Sequence, residues 1–128
     1  MVLDADGLSK LARRDRVVRA MIEQEVRDAG SALIVPVIVT AQALLDTTVD
    51  AIGEILRAAH SVAEVDFERA QAAAHLMFST GMFDVVDALV AVEALRRAPS
   101  IVITSDPIDL RTLLDADPAA RRVAVWRV

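Results

Sequence analysis

Apolar positions along this chain fall into two rhythms, short unbroken runs and longer stripes at helical spacing. Residues 1–5, 32–35, 61–65, 101–104 and 123–126 are short apolar runs and read as strands, with Ile101–Thr104 the clearest. Between them lie helical stretches. Residues 15–29 place Val17, Val18, Met21, Ile22 and Val26 on one stripe with charges opposite, and Gly30 supplies a C-cap. Pro36 ends the second strand and suits the N1 position of a mainly helical stretch over 37–45. A helix over about 47–58 has Asp46 or Thr47 as its cap. Asp66 caps another, to about Ser79, with Phe67, Ala70, Ala74, Met77 and Phe78 facing the core, and Gly81 ends it. Asp84 opens a helix through Arg97, Pro99 stops it, and Ser105-Asp106-Pro107 starts a short one to about Leu114. Asp6-Gly7 breaks the first apolar run into a turn or helix start, and Asp117-Pro118 turns the chain.

Strands alternating with helices predict the α/β class with a mainly parallel sheet of four to five strands. The chain has 128 residues and no repeat, linker or low-complexity stretch, so residues 1–128 read as a single domain. At 55% apolar composition it can cover both faces of a sheet. No cysteine is present, which excludes disulfides and cysteine-based zinc sites. His60 and His75 lack ligand-like spacing and read as packed or exposed residues. Trp126 reads as core or interface. No apolar stretch approaches a membrane span, and Met1–Asp4 has no basic leader; the expectation is a cytoplasmic protein without membrane contact.

The net charge of −5 opposes bulk attraction to nucleic acid. The basic charge is nonetheless clustered and nearly all arginine. Lys10, Arg13, Arg14, Arg16 and Arg19 form one group close behind the first strand, and Arg13, Arg14 and Arg16 are its candidates for RNA phosphate contacts. Arg96 with Arg97 and Arg121 with Arg122 form two more groups, and each taken alone reads first as a solvated helix face.

The acids carry more information. Asp4 ends the first strand. Asp84 with Asp87, and Asp106 with Asp109, stand three residues apart at helix starts. Each pair alone is good capping chemistry. In a parallel sheet, however, the functional crevice lies at the carboxyl ends of the strands. If the first and fourth strands are neighbours, Asp4 and Asp106 converge there. Carboxylates brought together from distant parts of a chain repel, and a divalent cation is the usual reason to keep them. Asp87 is the better ligand candidate of its pair and Asp84 the better cap; Asp106 stands nearer the cation than Asp109.

Four ordered segments resemble PIN-domain ribonucleases, most closely the VapC-type toxins of toxin–antitoxin modules. They are Val2-Leu-Asp4-Ala-Asp-Gly-Leu8, Val35-Pro-Val-Ile-Val-Thr-Ala-Gln42, Gly81-Met-Phe-Asp84-Val-Val-Asp87-Ala88 and Ile103-Thr-Ser-Asp106-Pro-Ile-Asp109-Leu110. The resemblance implies a three-layer α/β/α sandwich and an Mg²⁺- or Mn²⁺-dependent endoribonuclease. It implies Asp4, Asp87 and Asp106 as catalytic metal ligands, Asp84 and Asp109 as supporting acids, and Thr104 as a brace. It also implies an RNA substrate, a small antitoxin that occludes the site, and a homodimer. Three departures stand out. Gln42 occupies a position where many members have Glu; its amide oxygen can still face a cation but cannot act as a carboxylate base. Asp6 replaces a smaller polar residue, and is either an added ligand or a cap for the helix that follows. Met82-Phe83 puts bulk ahead of Asp84.

Two other readings compete. Asp4-Ala-Asp6-Gly7 also resembles the nucleophile loop of haloacid-dehalogenase-type phosphatases. Leu8 stands where that family has threonine, and Lys10, the chain's single lysine, is too close to serve downstream. The other is a catalytically weak PIN-like domain that works by binding an antitoxin or RNA.

Overall fold

The computed structural model describes residues 1–128, the Ser61 side chain excepted. Five strands, β1 (Val2–Leu3), β2 (Ile34–Pro36), β3 (Ser61–Ala63), β4 (Ser100–Thr104) and β5 (Val123–Arg127), form one sheet. All its pairings are parallel, and its order is β3-β2-β1-β4-β5. Seven helices cover it: α1 (Ala5–Ala12), α2 (Arg16–Ala29), α3 (Val37–Ala43), α4 (Val49–Ala58), α5 (Phe67–Thr80), α6 (Val85–Arg96) and α7 (Pro107–Leu114). Helices α1 to α4 pack among themselves, as do α5 to α7, with the sheet between, giving the α/β/α sandwich.

The chain builds outward from β1 to β3 on one side and then returns to place β4 on the other side of β1. The reversal lies between β1 and β4, and in such sheets ligands bind outside the carboxyl ends of the strands at that point. Val2 pairs with Val102 and Leu3 with Ile103, so Asp4 emerges alongside Thr104.

Helix α6 is the central helix of the second layer. Its run from Ala88 to Ala94 is buried without a break, and it rests on β1, β2 and β4. That run includes Glu93, whose carboxylate is held by Arg69 of α5 and by Arg97. A buried charge is tolerable only when so paired. The pairing fixes α6, and with it the acids at its start, against α5.

Several local expectations shift. Of the turn or helix start expected after the first run, the structure has the helix, Ala5–Ala12, capped by Asp4 rather than Asp6. Pro36 is the N-cap of α3 and the last residue of β2, not N1. Thr48, not Asp46 or Thr47, caps α4. On α2 only Val18 and Ile22 of the stripe are buried, and Val17 is open to solvent. Helix α5 turns a different face inward: Ala73 and Leu76 are buried, while Phe67 and Phe78 are 82% and 85% exposed. Among the described residues, no single helix is long and apolar enough to cross a membrane.

Candidate functional site

Each acid reaches the carboxyl edge of the sheet by the same local device, a carboxylate at a helix start. The Asp4 Oδ1 atom accepts the Gly7 N–H at 2.6 Å. Asp84 Oδ1 accepts from Val86 and Asp87 at 2.9 and 3.0 Å. Asp106 Oδ1 accepts from Asp109 at 3.3 Å. In each case the cap uses Oδ1 alone.

Four of the acids act on the fifth, Asp87. Its carboxyl is pushed up to about 6, first by burial and then by the charges of Asp84, Asp4, Asp106 and Asp109. Residues from β1, α6 and α7, as much as 105 positions apart in the chain, therefore share one electrostatic field. Asp4 is 8% exposed, and burial raises its pKa as well. Hydrogen bonds from Thr104 and Gly7 act against that rise by favouring the ionised form.

Thr104 is buried and bridges two acids: its hydroxyl oxygen accepts the Asp106 N–H at 2.9 Å, and its side chain hydrogen-bonds Asp4. Asp6 lies in the first turn of α1 and accepts the Ser105 hydroxyl. It is thus tied to the loop before Asp106, and its charge acts on Asp4. Asp106 and Asp109 are exposed.

Two residues that matter here were not singled out from sequence. A Cβ on Gly7 would stand 2.7 Å from the Ile103 carbonyl oxygen and 3.1 Å from Asp4 Oδ1. Only glycine lets the first turn of α1, which Asp4 caps, sit this close to β4. A glycine inside a run of helix formers, three residues after an aspartate, was the available signal. Ser105 is the other, and only the fold brings it to Asp6.

The remaining candidates stand on other elements or farther along α1. Gln42 is on the exposed side of α3 near its C-terminus. Arg13 and Arg14 follow the far end of α1, about 12 Å of helix from Asp4. Arg13 is committed to the Asp46 side chain and backbone carbonyl. Arg14 adopts a left-handed backbone at φ 61° and lines a groove of about 600 Å³ with Leu11, Ile22, Val26 and Ile55. Arg16 opens α2 and is exposed. His60 accepts the Leu33 N–H through Nδ1, His75 is exposed, and Trp126 is half-buried.

An all-oxygen donor set suits a hard divalent cation. Among the described residues, no three His, Asp or Glu side chains stand close enough to hold an ion without adjustment. The acids thus match a hard cation in chemistry and charge, not in ligating distance. No family model matches the chain, and no curated protein matches it.

Proposed function

We propose that this protein is a metal-dependent endoribonuclease of the PIN type, resembling VapC toxins and held in check by a small antitoxin in the cytoplasm. One observation carries the reading. Four carboxylates from the ends of β1, α6 and α7 act on a fifth, Asp87, at the carboxyl edge where the strand order reverses. An arrangement that raises a carboxyl pKa by burial and repulsion costs stability, and such costs concentrate at functional sites.

Asp4, Asp87 and Asp106 would hold Mg²⁺ or Mn²⁺, with Asp84 and Asp109 adding negative charge. The bound ion would supply a more acidic water and offset charge on the scissile phosphate. Water adds to phosphorus as the P–O3′ bond breaks, leaving a 5′-phosphate and a 3′-hydroxyl. Thr104 keeps Asp4 and Asp106 in register, and Gly7 keeps Asp4 on its helix. Gln42 can offer an amide oxygen from α3 without adding charge. The arginines beyond α1 suit phosphates farther along an RNA strand better than the scissile one. Self-association is supported by α5, whose outer face carries Phe67, Ala70, Ala74 and Phe78, all exposed.

The test is cleavage of a mixed structured RNA pool by the purified, partner-free chain in Mn²⁺, Mg²⁺ or chelator, beside Asp4→Asn. The reading expects cutting that needs the metal and is lost in the variant. Absence of both cutting and Mn²⁺ binding overturns it. The second reading, a binding module on the same fold, draws on the spacing of the acids and on the neutral Gln42. It expects Asp4→Asn to leave RNA or partner binding unchanged with no cleavage in either protein.

A further inference from the structure

Phe83 immediately precedes Asp84, the cap of α6, and is 76% exposed. An apolar residue at this position ordinarily packs on the fourth residue of the helix as a hydrophobic staple. That residue is Ala88, which is fully buried within the core, while Phe83 remains open to solvent. Phe83 therefore does no stapling. Ile108 repeats the anomaly: it stands between Asp106 and Asp109, is 76% exposed, and lies off the core face formed by Leu110, Leu113 and Leu114. Val85, next along, is also exposed. Asp84 and Asp106 cap α6 and α7, and the two helices pack against each other. The mouth of the acidic site is thus flanked by bare apolar side chains with no part in folding.

Charge supplies little of what a nucleic acid needs here. The site is acidic, the chain carries −5, and the first arginine group sits beyond the far end of α1. A bound strand then needs an attraction independent of phosphate charge, and base stacking on an aromatic ring is one. Resting on the nuclease reading above, we propose that Phe83 is the platform on which an unpaired base next to the scissile phosphate stacks. An unpaired base in a loop or at an end can be splayed out onto the ring. A duplex keeps its bases stacked on one another and has none to offer.

The probe is a short single-stranded RNA with 2-aminopurine at successive positions, compared with the same strand annealed to its complement, each titrated with the full chain. Wild type should quench the probe at one or two positions and bind the single strand in preference to the duplex. Phe83→Ala should weaken single-strand binding by about tenfold or more and lose the quenching. Phe83→Trp should restore both, and Phe83→Leu, apolar but without a π face, should not. Thermal midpoint and Mn²⁺ affinity should match wild type in all three, which separates this test from that of the metal site. Equal binding by wild type and Phe83→Ala, equal binding of duplex and single strand, or no binding of the strand by wild type overturns the proposal. A Phe83→Ala effect confined to self-association, read by sedimentation, overturns it in favour of a protein contact.

Discussion

Helices α6 and α7 begin with the same signature, an aspartate cap and a second aspartate three residues on, yet the two pairs are not equivalent. In both, the capping Oδ1 accepts the N–H of the second acid. Asp87, however, directly precedes the buried stretch of α6, and its carboxyl is pushed up to about 6. Asp109 stands on a helix at the sheet margin, packed toward β5, and is exposed. The lesson is that capping geometry is local, whereas the electrostatic burden of a carboxylate is set by the layer it enters. One signature yields a supporting acid at the edge and a strongly perturbed one at the centre.

Substitution should split the pairs most widely in catalysis. On the proposed function, Asp87→Asn should lower the rate of RNA cleavage by about 10³-fold, as expected for loss of a group that positions the metal and its charge. Asp109→Asn should cost about tenfold, in the range of a supporting residue. Equal losses would erase the distinction.

Metal addition comes next. Mn²⁺ at about one hundred times its dissociation constant should stabilise wild type by about 2.7 kcal/mol. Asp109→Asn should keep most of that gain and Asp87→Asn little, as scanning calorimetry can show. The gain should be larger above pH 6 than below it, because protons compete with the cation at Asp87.

Both pairs must meet Asp4, and Gly7 sets where Asp4 stands. Gly7→Ala should destabilise the chain by about 1–3 kcal/mol, since the new Cβ meets the Ile103 carbonyl oxygen at 2.7 Å. Urea denaturation would measure it, and a neutral result would mean that α1 can slide on β4.

The smallest effects have opposite signs. Asp87 is harder to ionise in the folded chain than its ordinary 3.8, so the folded state holds an extra proton between pH 3.8 and about 6. Its contribution to stability is therefore greatest below that window and falls as pH rises through it. Asp4, also raised, acts in the same direction. Without metal at pH 7, Asp87→Asn should stabilise by about 1 kcal/mol once solvent screening is discounted, or about 3–5 °C in thermal midpoint. Asp109→Asn should instead destabilise by a few tenths of a kcal/mol through loss of a favourable charge at a helix start.

The layers and the acids were legible in sequence because each rests on a local cue. Short β-branched runs marked all five strands, and Asp66, Asp84, Gly30 and Gly81 marked helix ends where the structure has them. Pairing β4 beside β1, the condition for Asp4 and Asp106 to meet, was recognised in advance but not decided by any local feature. What escaped was set by tertiary contact. The Asp6-Gly7 pair inside α1 left turn and helix start both open, and the helix's close seat on β4 depends on a partner 96 residues away. On α5 the large apolar residues pointed to a face through Phe67 and Phe78, but the space beside α6 admits the smaller Ala73 and leaves both rings outside. The arginines followed Asp4 closely in sequence, and the length of α1 carried them away from it.

The most direct test of the acidic centre is isothermal titration of Mn²⁺ into the full chain at pH 7, beside Asp87→Asn and Asp109→Asn. Saturable binding to wild type, abolished in Asp87→Asn and only weakened in Asp109→Asn, is the result predicted here. Absence of saturable binding to wild type, or equal binding by all three proteins, would contradict a cation held at the convergence of β1, α6 and α7.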